Sequence, residues 1–140
     1  MLVRLLYASR AVDSSPAAVE AICTSARQHN ADHGVTGVLV FGGGIFMQCI
    51  EGGRQTISDL YGVIQKDARH QDVVLLHYEE ITERRFGGWT MGLVNAERVN
   101  AGVLLKYSER AVLDPYTVSG RASLALIEDL MATASVVGHT

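Results

Sequence analysis

Three consecutive glycines, Gly42-Gly43-Gly44, join two apolar runs, and no other stretch limits the possible folds so strongly. Val35 to Phe41 is too apolar to present a wet face, and Ile45-Phe46-Met47-Gln48-Cys49-Ile50-Glu51-Gly52 follows at once. Glycine reaches the positive φ angles of a tight hairpin turn, so the two runs pair as antiparallel strands. Strand side chains alternate faces. Phe46, Gln48 and Ile50 therefore share one face of the second strand, and Ile45, Met47, Cys49 and Glu51 share the other. Gln48 is then a carboxamide in an apolar face, where its two N–H donors and its carbonyl need partners once water is gone. Such a glutamine is either tied to backbone groups in the core or held against a polar ligand. A phosphate loop fits poorly, since no Gly-Lys-Ser/Thr follows the glycines and a strand comes next.

The flanking segments build a two-layer unit around that hairpin. Leu2 to Ser9 reads as a strand with Val3, Leu5, Tyr7 and Ser9 on one face and Arg4 on the other. Asp13-Ser14-Ser15-Pro16 starts a helix, with a serine N-cap and proline at the first helical position. Val19, Ile22, Cys23 and Ala26 form its apolar stripe, and four residues further lies Asn30, either a C-cap or a second polar group aimed inward. A second helix carries Ile57, Leu60, Tyr61 and Ile64 and closes near Asp67-Ala68-Arg69-His70. Asp72 to Glu83 is a long strand whose alternation is less clean. Arg84-Arg85-Phe86-Gly87-Gly88 turns the chain into a short fifth strand, where Trp89, Met91 and Leu93 share a face.

The order β-α-β-β-α-β plus one strand is the ferredoxin-like arrangement of an α+β protein, with both helices on one sheet face. The other face needs a cover. Asn95 to Lys106 reads as a weak helix with Val99 and Val103. Ser119 to Val136 is a stronger one with the stripe Leu124, Ile127, Leu130, Met131 and Ala134, and Tyr107 to Val118 is a loop. Residues 1–94 are thus expected to form the core unit and residues 95–140 a C-terminal helical cap on its open face.

At 140 residues, with 48% hydrophobic and 19% charged residues, the chain has the composition of one compact domain. A net charge of −3 offers no basic patch for nucleic acid. The N-terminus meets Arg4 too early for a signal peptide, and no apolar run approaches a membrane span, so a cytoplasmic location is expected. Cys23 and Cys49 match no zinc spacing and read as buried free thiols. His29, His33, His77 and His139 show no metal-ligand pattern.

If the helices pack on the sheet face with the larger side chains, Tyr7, Asn30 and Gln48 converge in one layer, with Ile22 and Ile64 as apolar walls from the two helices. A flat ligand with hydrogen-bonding groups along one edge would suit that space. The residues also resemble a known family. Leu5-Leu6-Tyr7-Ala8-Ser9-Arg10, His29-Asn30-Ala31, Gly34-Val35-Thr36-Gly37-Val38-Leu39, Phe46-Met47-Gln48-Cys49-Ile50-Glu51-Gly52, Asp67-Ala68-Arg69-His70 and Arg85-Phe86-Gly87-Gly88-Trp89-Thr90-Met91-Gly92 are similar, in order and spacing, to the motifs of the BLUF blue-light photoreceptors.

The resemblance implies a flavin, FAD with FMN or riboflavin as alternatives, lying between the two helices. It implies that Tyr7 bonds Gln48, that Gln48 and Asn30 contact the flavin edge, and that Ile22 and Ile64 flank the ring. His29, Asp67, Arg69 and His70 match further cofactor-binding positions, and Ser9, Trp89 and Met91 match positions close to the glutamine. Val63 and Ala68 depart from residues common in the family at those places. The implied output runs through the fifth strand and the C-terminal helices to a separate effector protein, without an enzymatic domain, and the hydrophobic cap of so small a chain separately points to self-association. The competing readings are a small flavin-dependent reductase or a ferredoxin-like ligand-binding protein without a photocycle. A ferredoxin-like hydrolase would need an anion cradle after Arg10, and an RNA-binding sheet would need exposed aromatics with basic charge.

Overall fold

The computed structural model describes residues 1–133 and 137–139. Strand β1 (Leu2–Ala11) leads through helix α1 (Pro16–His33) to the hairpin β2 (Thr36–Gly42) and β3 (Ile45–Gly53). Helix α2 (Arg54–Gln65), strand β4 (His70–Ile81) and strand β5 (Trp89–Asn95) follow. The chain continues through a 3-10 turn (Ala96–Arg98) and helices α3 (Ala101–Leu105) and α4 (Gly120–Thr133) to a short strand β6 (Val137–His139). The sheet order is β4-β1-β3-β2-β5-β6, with β2 and β5 parallel and the other paired strands antiparallel. The first four strands and two helices form the expected ferredoxin-like unit.

Local chemistry explains most of these elements. Ser15 caps α1 by accepting from the Ala18 amide at 3.2 Å, and Pro16 opens the helix. Gly34 ends it at φ 66°, one turn beyond Asn30, so Asn30 lies within the helix and is not its cap. Gly43 and Gly44, at φ 58° and 77°, make the two-residue turn of the central hairpin. β3 is buried along nearly its whole length, between β1 and β2.

The sheet separates two apolar layers. Val3, Leu5, Tyr7, Leu39, Phe46 and Ile50 pack against Val19 and Cys23 of α1 and Ile57 of α2. Leu6, Val38, Val40, Met47 and Cys49 face the other way, onto Leu104, Leu113, Leu124, Ile127 and Leu130. The C-terminal segment thus covers the open face, as the pattern predicts. On that side Arg4 and Glu51 form a buried ion pair at 2.6 Å. Glu51 also accepts the backbone amides of Arg85, at 3.1 Å, and Phe86, at 2.7 Å. A group buried this deeply needs such partners, and the result pins the loop before β5 to the hairpin.

Three readings change. The weak helix over Asn95–Lys106 is broken in two, because Asn95 and Asn100 each turn a side chain back onto an amide two residues on and restart the chain. Trp89 does not share a face with Met91 and Leu93: it packs under the C-terminal helices, whereas they face α1 and α2. A register shift between Trp89 and Leu93 in the β5–β6 pairing accompanies this break in alternation. Strand β6 has no periodic signal in three residues. The predicted end of the last helix, with Ala134 and Val136, lies outside the described residues.

Candidate functional site

Strand register places Tyr7 of β1 directly opposite Gln48 of β3. Both side chains point to the α1–α2 side and are buried. The Tyr7 hydroxyl donates to Gln48 Oε1, and Gln48 Nε2 reaches the Met91 sulfur at 3.4 Å. From α1, the buried Asn30 donates through Nδ2 to the Thr90 carbonyl at 2.8 Å, while its Oδ1 lies 3.5 Å from His29 Nδ1. Four elements therefore contribute to one polar edge.

That edge borders a cavity of about 170 Å³ between the two helices. Tyr7, Asn30 and Gln48 line it together with Ile22 of α1 and Ile64 of α2, and His29, Asp67, Arg69 and His70 line it as well. All nine residues expected at a cofactor site thus meet around one space. Ser25, Ala26, Leu39, Phe46, Leu60 and Val63 complete its wall, and the sequence reading named none of them as a cofactor-binding residue. Leu39 could have been found, since it is the β2 partner of Gln48.

His70 fastens the far side. Its ring nitrogens lie 2.7 Å from Ser9 Oγ and 2.6 Å from the Ile64 carbonyl, so it ties β1 to the end of α2. Ser9 acts from behind the cavity and does not line it. Asp67 and Arg69 form an ion pair at 2.7 Å, and Arg69 hydrogen bonds hold the Asp67 carboxyl below its ordinary range. Burial, and then the Asp67 charge, pushes the Tyr7 phenol far above its usual value, so Tyr7 keeps its proton. Trp89, expected near the glutamine, lies on the other face of the sheet; Met91 occupies that place.

A larger cavity, about 900 Å³, opens at the end of the sheet beside the Gly42–Gly44 turn. Its charged lining residues Glu20, Glu97 and Arg98 are exposed, and no comparable set of buried polar groups converges there. Among the described residues no cluster of His, Cys, Asp or Glu could hold a metal, and no helix is long and apolar enough to cross a membrane. The space between the helices has two carboxamides and a phenol at one edge and an isoleucine from each helix in its wall, an arrangement that can take a flat heteroaromatic ligand.

The family model described as BLUF, sensors of blue-light using FAD, matches residues 2–92. The photoactivated adenylate cyclase subunit beta of Euglena longa is 37% identical over 92 residues, which are 64% of this chain and 11% of that protein. The blue light- and temperature-regulated antirepressor BluF of Escherichia coli (strain K12) is 35% identical over 88 residues, 62% of this chain and 22% of that protein. The chain therefore spans only about a tenth to a fifth of these relatives. The solved structure of BlsA in its photo-activated state superposes with a TM-score of 0.84 at 29% identity, covering 100% of this chain and 99% of that one. The ligand-edge chemistry and the family match agree: this chain belongs to the BLUF family and is a flavin-binding sensor of blue light that uses FAD.

Proposed function

We propose that Tyr7, Gln48 and Met91 form the light-responsive chain of this sensor, and that Ile22, His29, Asn30, Ile64, Asp67, Arg69 and His70 hold its flavin. The observation that carries this reading is the buried run Tyr7 O–H to Gln48 Oε1 and Gln48 Nε2 to Met91 Sδ, set at the edge of the helix-lined cavity. Ile22 and Ile64 would flank the ring, and Asn30 and Gln48 would meet its polar edge. Asp67, Arg69 and His70 would hold the end nearer the rim. Flavin, when bound, supplies a blue-light-excited state strong enough as an oxidant to draw an electron from a phenol.

Tyr7 would give up that electron, and its phenolic proton would pass to Gln48 Oε1, its hydrogen-bond acceptor, as Gln48 Nε2 releases one of its own toward the flavin edge. When both return, the Gln48 amide is left with its donor and acceptor ends exchanged. Nε2 then faces the Tyr7 oxygen, which can accept, and Oε1 faces the Met91 sulfur, which cannot donate. Met91 loses its partner, and the change reaches β5. No covalent bond is made, so the arrangement reverts in the dark. In so buried a place each orientation of the amide differs appreciably in energy.

Replacing Gln48 by leucine is expected to leave FAD bound and abolish the light-induced red shift of its absorption; a surviving shift overturns the mechanism. Tyr7→Phe is expected to lose the same response, and normal photocycling would remove Tyr7 from it. Residues 95–140 act as a cap on the sensory unit of residues 1–94. The output is contact with a separate effector protein in the cytoplasm, through β5 and the C-terminal helices, in a self-associating chain. The antirepressor relative and the full-length superposition on BlsA support a protein-contact output. Sedimentation and pull-down in light and dark are expected to differ, and identical profiles would reject this output.

A further inference from the structure

Helix α1 reaches the start of β5 with two side chains. The β2–β5 ladder runs from Val38–Gly92 to Phe41–Asn95, and Trp89 pairs with His139 of β6. The two α1 side chains bond consecutive carbonyls just before that ladder: Asn30 Nδ2 donates to Thr90 O at 2.8 Å, and Arg27 Nε donates to Met91 O at 3.2 Å. Residues three apart lie on one helix face, so both reach the same strand. Asn30 borders the cavity, but Arg27 does not.

Arg27 is more committed than a surface arginine. Its side chain is 27% exposed, Nη1 lies 3.7 Å from Glu20, and Nη2 is buried without an acceptor among the described residues. An unpartnered buried donor is costly, and a rotamer pointing to solvent would relieve that cost. The bond to the Met91 carbonyl opposes such a turn. Met91 is thus gripped twice, by Gln48 at its sulfur and by Arg27 at its backbone.

We propose that Arg27 is a positioning residue for the light response: it docks the start of β5 on α1, keeps Met91 against Gln48, and draws the strand back after each light event. This rests on the flavin mechanism above only for the last of the three effects. The chain has a single tryptophan, Trp89, two residues from Met91, so its emission reports the same segment.

The test compares the full chain with Arg27→Ala and Arg27→Lys. Three readouts are taken: the Met91 methyl to Gln48 amide contact by NMR in flavin-free protein, Trp89 emission, and dark recovery with FAD bound. Arg27→Ala is expected to bind FAD as the unmodified chain does, lose the methyl–amide contact, shift Trp89 emission and slow recovery at least threefold. Arg27→Lys, which keeps a donor for the carbonyl, is expected to restore all three to within twofold. An intact contact with unchanged recovery in Arg27→Ala overturns the proposal. So does a lysine variant as impaired as the alanine one, which would assign the effect to guanidinium packing. Should Arg27→Ala fail to fold, Arg27→Gln is judged by the same criteria. An absent red shift in the unmodified chain would count against the flavin mechanism alone, because the NMR contact is read without flavin or light.

Discussion

Gln48 can act as a two-position element because each end of its amide has a partner of different chemistry. Oε1 takes a proton donor that burial keeps protonated, and Nε2 takes a sulfur that can only accept. Burial raises both the Tyr7 phenol and the Cys49 thiol above their ordinary values of 10 and 9. Above those values the unfolded chain releases protons that the folded chain retains, so folding stability falls as pH rises. Each group contributes up to about 1.4 kcal/mol of lost stability per pH unit in that window. Urea unfolding at about pH 8 and about pH 10.5 checks this: the midpoint should drop, and an unchanged midpoint would mean that the two groups titrate freely in the folded state. Tyr7, Gln48 and Asn30 were legible from alternation and helical stripe, because burial follows period. Trp89 was not, because its face depends on a register shift that begins beside it.

Among the elements, the β2–β3 hairpin carries the most constraint. A Cβ on Gly37 would come 2.2 Å from the Cys49 carbonyl oxygen in the neighbouring strand, so the two backbones approach only because residue 37 has no side chain. Gly37→Ala is expected to destabilise the chain by about 1–3 kcal/mol through the displaced strand. It should also weaken FAD retention, since β3 carries Gln48. A thermal melt within error of the unmodified chain would disprove this. The uneven alternation of β4 has a comparable cause in two register shifts of its pairing with β1, at Leu6/Tyr7 and Ala8/Arg10. The break in the segment after β5 was foreshadowed by Asn95 and Asn100, whose side chains compete for local amides. Apolar spacing alone hides that competition.

Across the whole molecule, one sheet serves two layers, and under the proposed output an event beside Gln48 must cross the sheet to reach the C-terminal helices. The loop of residues 84–88 fastens β3 to the C-terminal helices. Glu51 of β3 holds its amides, Arg85 pairs with Glu128 of α4, and Phe86 is buried beneath the C-terminal helices. The cap itself docks backbone to backbone: a Cβ on Gly120 would lie 1.9 Å from the Leu76 carbonyl oxygen. Gly120→Ala is expected to lift the start of α4 from β4, at a cost of about 1–3 kcal/mol, and to raise the exposure of Trp89. Quenching of Trp89 emission by iodide, with the melting temperature, measures both. If neither moves, the close docking of α4 is not what holds the cap.

Alternation, helical stripes and turn glycines determined the order of elements as far as β5, the two faces of β1 and β3, and the facing of Tyr7 and Gln48 alongside apolar neighbours. These follow from local period, which one chain segment carries by itself. Only the tertiary structure decided that Met91 and not Trp89 meets the glutamine, that Arg4 and Glu51 neutralise each other in the far layer, and that Arg27 grips β5. Those outcomes depend on pairings between residues 47 and 64 positions apart and on strand register, and no local period encodes them.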